Sequence, residues 1–85
     1  MTHIIIYTKA TCPFCIKAKG LLTQKAQKFT EIDITGNDSL RTEMMTKANG
    51  RHTVPQIFIN NEHIGGCDDL FACDASGDLD KKLAA

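Results

Sequence analysis

Apolar residues fall along this chain in short bursts whose spacing changes from one segment to the next. His3 to Thr8 is apolar almost throughout, with Ile4-Ile5-Ile6-Tyr7 at its centre, which predicts a short strand covered on both faces. From Pro13 to about Gln27 the period lengthens. Cys15, Ala18, Leu22 and Ala26 recur at steps of three and four, with Lys17, Lys19, Lys25 and Lys28 mostly on the other side. That is the stripe of an amphipathic helix, and Gly20 within it reads as a point of close packing on a sheet. Phe29, Glu31 and Asp33 then alternate with Thr30, Ile32 and Ile34, the period of a second strand. Two strands joined by such a helix form a βαβ unit with a right-handed crossover.

Gly36-Asn37-Asp38-Ser39 is a turn that supplies the cap of a second helix, from about Ser39 to Ala48, with Leu40, Met44, Met45 and Ala48 as its apolar stripe. Asn49-Gly50 ends it in the left-handed manner usual at helix C-termini. Val54-Pro55 leads into a third strand, Gln56 to Ile59, and Asn60-Asn61 signals a tight hairpin into a fourth, Glu62 to Ile64. Gly65-Gly66 breaks that strand, and Asp68-Asp69-Leu70-Phe71-Ala72 starts a third helix with acids in its first turn. Gly77 interrupts, and Leu79 to Ala85 is expected to hold a frayed last turn. The order β-α-β-α-β-β-α predicts an α/β fold, a four-stranded mixed sheet with helices on both faces. Its first two strands are parallel and its last two antiparallel. With no repeat, linker or low-complexity segment, residues 1–85 read as a single domain.

Composition narrows the classes rather than choosing one. An apolar fraction of 42% in 85 residues suits a small globular domain, and excludes disordered or fibrous chains. Ten basic residues balance ten acidic ones, so no net field points to nucleic acid or an anionic membrane. The N-terminal apolar run is too short for a membrane span and lacks the charged start and cleavage site of a signal peptide. The expectation is a mature chain beginning near Met1 and a cytoplasmic location. Cys12, Cys15, Cys67 and Cys73 could form two disulfides of a secreted domain, but the lack of a signal segment favours transient, catalytic cysteine chemistry.

The chemistry concentrates at Thr11-Cys12-Pro13-Phe14-Cys15, where the first strand ends and the first helix begins. Free N–H groups and the helix dipole at such a place stabilise a thiolate and lower its pKa. Pro13 suits the first helical position, which makes Cys12 the exposed N-cap and sets Cys15 one turn further in. Two cysteines so spaced lie within the Cα separation a disulfide tolerates, about 4.4 to 6.8 Å. The competing reading is half a zinc site. Cys67 and Cys73 are then the remaining candidates, but their wide gap is not the tight second pair of a zinc ribbon, and His3, His52 and His63 are scattered singly.

Other segments admit a plain reading beside a functional one. Val54-Pro55 can be simply a strand start, since proline is confined to such places. Gly65-Gly66-Cys67-Asp68-Asp69 certainly caps a helix, and a helix N-terminus also binds carboxylates through its free amides. Asp68 serves either the helix dipole or a bound ammonium, and residue logic alone leaves these even. Lys9 can be a solvated charge. Cys73 shares a stripe with Leu70 and reads as a small core residue.

Taken together, three segments resemble the dithiol glutaredoxins, a thioredoxin-fold family, and among them the short bacterial kind. They are Tyr7-Thr8-Lys9 leading into Cys12-Pro13-Phe14-Cys15, Thr53-Val54-Pro55-Gln56-Ile57-Phe58, and Gly65-Gly66-Cys67-Asp68-Asp69, in the family's order and spacing over almost the whole chain. The resemblance implies a thioredoxin-like fold and glutathione-dependent thiol–disulfide exchange, with Cys12 as nucleophile and Cys15 as resolving thiol. It implies a cis peptide at Val54-Pro55 whose backbone pairs with an extended substrate, and glutathione contacts from Lys9, Phe14, Arg51, Thr53, Val54, Pro55, Gly66, Cys67 and Asp68. The backbone at Cys67 and Asp68 would take the γ-glutamyl carboxylate, the Asp68 side chain its ammonium, and Lys9 and Arg51 the glycine carboxylate.

No metal or bound cofactor is implied. Glutathione serves as co-substrate, and the partners are disulfide-bearing or glutathionylated proteins such as ribonucleotide reductase, met by a monomer. Phe14 departs from the tyrosine many members carry, which removes a hydroxyl beside the thiol. The alternatives are a redoxin served by thioredoxin reductase, against which stand the lack of tryptophan and the Gly-Gly-Cys-Asp-Asp segment, and an iron–sulfur carrier, which Pro13 disfavours.

Overall fold

The computed structural model describes residues 2–84. Eight elements follow one another: β1 (Ile4–Thr8), α1 (Pro13–Gln24), β2 (Thr30–Asp33), α2 (Asp38–Lys47), β3 (Gln56–Ile59), β4 (Glu62–Gly65), α3 (Cys67–Ala75) and α4 (Asp78–Leu83). The strands form one sheet in the order β2-β1-β3-β4. β1 runs parallel to β2, with Tyr7 opposite Ile32, and antiparallel to β3, with Ile6 opposite Ile57. The β3–β4 hairpin turns through Asn60 and Asn61, both at positive φ (49° and 68°), the geometry a tight two-residue turn requires.

Alternation along the strands divides the core in two. Ile4 and Ile6 of β1 with Ile57 and Ile59 of β3 face Ala18, Leu21 and Leu22 of α1, Leu70 of α3 and Leu79 of α4. Tyr7 and Phe58, on the opposite face of the same strands, meet Met44 of α2, with Ile34 and Ala48. Helices therefore cover both faces of a mixed sheet, as the hydrophobic periods predict. Burial on both sides also explains why β1 reads as a continuous apolar run.

Three local expectations need correction. α1 stops at Gln24 rather than near Gln27, because Ala26 takes a left-handed conformation (φ 59°) and the amides of Ala26 and Gln27 turn back to Thr23 and Leu22. This is a Schellman ending on a residue that rarely adopts it, so Ala26 is exposed and Leu21 fills the stripe instead. Gly20 is exposed, and a Cβ there would meet nothing within 4 Å, so it marks no close approach to the sheet. The last segment is not a frayed turn: Leu79 is wholly buried, and Lys25 at the end of α1 pairs with Asp74 (2.7 Å) and Asp80 (2.9 Å). Ala85 lies outside the described residues. The element order gains a helix, β-α-β-α-β-β-α-α.

Candidate active site

At the end of β1 the chain turns through Thr11, at positive φ (55°), and enters α1 with Cys12 as N-cap in extended conformation and Pro13 in the first helical turn. Cys12 Sγ accepts a hydrogen bond from the Cys15 amide at 3.2 Å. The first turn of α1 holds no acidic residue, so nothing local opposes negative charge on that sulfur. The two cysteines form a disulfide with their Cα atoms 5.2 Å apart. Cys15 is buried, whereas Cys12 is half-buried rather than exposed. The Val54 carbonyl oxygen lies 3.9 Å from its sulfur. The Val54-Pro55 peptide is cis.

Phe14, more than half exposed, stands over a cleft of about 260 Å³ that opens beside this turn. One wall is Arg51, Thr53, Val54 and Pro55, and the far end is Gly66, Cys67, Asp68 and Asp69 at the start of α3. Eight of the nine residues expected to contact a glutathione-like ligand thus line one cavity. Lys9 does not; it is exposed on the loop after β1. Tyr7 and Thr8 before it are structural. The Tyr7 hydroxyl donates to Glu43 of α2 (2.7 Å) and that of Thr8 to Glu31 of β2 (2.7 Å). Burial, reinforced by Glu43, pushes the Tyr7 hydroxyl far above its usual pKa, so it stays protonated.

Asp69, in sequence simply one of two acids in a first turn, has two tasks here. Its Oδ2 accepts the Gly66 amide at 2.8 Å and the Arg51 guanidinium at 2.9 Å. Those contacts, the Gly66 amide foremost, hold its carboxyl below the usual range. The readable signal is an acid three residues after the N-cap, the far half of a capping box. Gly65, at φ 119°, is required beside it. A Cβ there would collide with the Asp69 carboxylate and stand 2.8 Å from Arg51 Nη1. Arg51 therefore reaches the cleft already bound to Asp69.

The other thiols differ in kind. Burial raises the pKa of Cys67, 5% exposed, and likewise that of Cys73, so both are more protonated than free thiols at neutral pH. Among the described residues no cluster of three or more His, Cys, Asp or Glu side chains could hold a metal ion, and no helix is long and apolar enough to cross a membrane.

Comparison with known proteins places this geometry in context. The family model described as Glutaredoxin matches residues 4–64. The chain is similar to Glutaredoxin 3 of Escherichia coli (strain K12), with 57% identity over 83 residues, covering 98% of this chain and 99% of that protein. Among solved structures it is similar to a glutaredoxin from Brucella melitensis, at 49% identity and TM-score 0.83, covering 95% of this chain and 87% of that one. It also resembles a buckwheat glutaredoxin–glutathione complex, at 27% identity and TM-score 0.87, covering 95% and 76% respectively.

Proposed function

This chain belongs to the glutaredoxin family of thioredoxin-fold thiol–disulfide oxidoreductases, and from that premise we propose that its reductant is glutathione. The observation that carries the reading is the placement of Cys12 as N-cap of α1, 3.9 Å from the carbonyl oxygen of Val54, a residue that lines the cleft. Its sulfur takes an amide of α1, and the cleft beside it runs to the N-terminus of α3. A tripeptide bound to Cys12 through its cysteine can lie along Val54. Its γ-glutamyl carboxylate then meets the amides of Cys67 and Asp68, and its ammonium meets the Asp68 carboxylate. Phe14, Thr53, Pro55 and Gly66 shape the cleft, while Arg51 and the more distant Lys9 serve the glycine carboxylate. The buckwheat relative was solved with glutathione, which supports the assignment.

In the proposed reaction the Cys12 thiolate attacks the glutathione sulfur of a protein–glutathione mixed disulfide. The protein thiolate leaves and takes a proton, and Cys12 is left joined to glutathione. A second glutathione thiolate attacks the glutathione sulfur of that bond, releasing glutathione disulfide and the Cys12 thiolate. With a protein disulfide, Cys12 forms a mixed disulfide with one substrate sulfur. Cys15 then attacks Cys12, the substrate leaves as a dithiol, and glutathione reduces the Cys12–Cys15 bond. Members of this family work at about −200 to −230 mV, close to the glutathione pool, so the exchange runs in either direction. In this reading residues 1–85 act as one domain, a cytoplasmic monomer that serves glutathionylated or disulfide-bearing enzymes, with ribonucleotide reductase as one candidate.

The test is NADPH oxidation coupled to reduction of a small glutathione mixed disulfide, with one arm holding glutathione and glutathione reductase and the other thioredoxin reductase. Turnover is expected in the first arm. Turnover in the second arm alone would overturn the assignment.

A further inference from the structure

Two polar residues lie fully buried among the described ones, Thr8 and Gln56. Thr8 is used by Glu31, whereas Gln56 opens β3 immediately after the Val54-Pro55 loop. Its side-chain Nε2 donates to the Thr53 carbonyl oxygen at 3.0 Å and lies 3.3 Å from the Thr53 hydroxyl. Its Oε1 lies 2.7 Å from His63 Nε2, on β4. The Thr53 carbonyl can only accept, so the amide nitrogen of Gln56 must face it. Gln56 Oε1 can then only accept, so His63 Nε2 must carry the hydrogen. The direction of the chain is fixed: His63 donates to Gln56, and Gln56 donates to Thr53. The His63 ring is held for this by stacking on Phe58, with ring centroids 4.9 Å apart.

We propose that His63 is a positioning residue for the thiol site, acting through Gln56 on the Thr53-Val54-Pro55 loop. His63 does not line the cleft, and Gln56 joins it to that loop. Without its N–H, Gln56 Oε1 is buried with no donor, a state that costs as much as a lost hydrogen bond. Turning the amide over does not help, because Oε1 would then face the Thr53 carbonyl. Either outcome loosens the residue just before Val54, whose carbonyl stands 3.9 Å from Cys12 Sγ. A substrate that pairs with the Val54 backbone loses a pre-set wall, while the thiol itself keeps its amide from Cys15. This inference rests on the proposed use of Val54 as the pairing edge for a glutathione-bearing substrate.

The experiment compares wild type, His63→Phe, Gln56→Met and the double variant. His63→Phe keeps a ring on Phe58 and removes the donor. For reduction of a glutathione–peptide mixed disulfide it is expected to lower kcat/KM about fivefold. Iodoacetamide alkylation of reduced Cys12, which needs no loop contact, is expected to stay unchanged. In the Gln56→Met background His63→Phe is expected to lower kcat/KM no further, because the residue acts only through Gln56. Unchanged kcat/KM, a parallel loss of alkylation rate, or additive losses in the double variant would each overturn the proposal. Imidazole nitrogen NMR on the wild type needs no variant: the Nε2–H tautomer is expected, and Nδ1–H would overturn it. Absence of glutathione-dependent turnover in the wild type would instead sink the glutathione reading. The His63 proposal then stands or falls on the Thr53 and Val54 amide shifts, which His63→Phe is expected to move and which would stay in place if no such chain exists.

Discussion

Two helix N-termini face the same cleft and are prepared in opposite ways. α1 begins with Cys12 and Pro13, has no acid in its first turn, and aims the Cys15 amide at the Cys12 sulfur. α3 begins at Gly66 and Cys67, carries Asp68 and Asp69 in its first turn, and spends its Gly66 amide on Asp69. Both ends offer a positive dipole, yet one is left bare for a charge that comes and goes on sulfur. The other is already partly neutralised by its own carboxylates. The bare end suits a nucleophile that must be a thiolate before attack and a leaving group afterwards. The acid-bearing end suits a ligand group that brings both charges at once, as an α-amino acid terminus does.

The comparison can be broken most severely at the bare end. Cys12→Ser is expected to abolish reduction of both mixed and protein disulfides. Cys15→Ser is expected to retain deglutathionylation and lose protein disulfide reduction, measured with a glutathionylated peptide and a disulfide-bridged one. Loss of both in Cys15→Ser would contradict the assigned roles. At the other end, Asp68→Asn removes the charge that the proposed glutathione site offers to an ammonium. It is expected to lower kcat/KM for glutathionylated peptide about tenfold, the worth of one charge-assisted hydrogen bond, with Cys12 alkylation unaffected.

Asp69→Asn is expected to act mainly on stability, by about 1 kcal/mol, the usual worth of a helix-end cap. Its pH dependence has a definite sign. The Gly66 amide and Arg51 hold the Asp69 carboxyl below its usual value, so its contribution is present above the unfolded pKa of about 3.9 and fades as the pH falls towards the lower folded value. Urea titrations are therefore expected to show the gap between wild type and Asp69→Asn narrowing below about pH 4. A gap that widens on acidification would contradict the contact. The mildest test makes α1 resemble α3. Ile16→Glu, at an exposed position in its first turns, is expected to disfavour the Cys12 thiolate and slow its alkylation at neutral pH about threefold.

Much of this contrast is legible in the chain itself. A Cys-Pro pair after an apolar strand marks a helix start, and acids after a Gly pair mark another, because capping chemistry is local. The two-sided core is legible as well, because the unbroken apolar run of β1 marks a strand covered on both faces. What sequence does not show depends on partners distant along the chain. Asp69 reads as a dipole acid until Arg51, eighteen residues earlier in sequence, is brought beside it. Gln56 reads as one member of a motif, and His63 as a lone histidine, until β3 and β4 pair and join them.

Ala26 ends α1 in a left-handed conformation that its side chain disfavours, so no glycine or asparagine announces the stop. The last helix reads as a fraying tail because its anchor is Lys25, far away on α1, together with a single buried leucine, Leu79. Phe14 keeps a ring over the cleft without a hydroxyl, and nothing in the structure explains the preference for it.

The most direct test of the two-ended site is an amide NMR comparison of reduced Cys15→Ser before and after Cys12 is joined to glutathione. Large shifts are expected at Val54, Cys67 and Asp68, together with those of the α1 turn. Shifts confined to the α1 turn, with the start of α3 unmoved, would contradict the account.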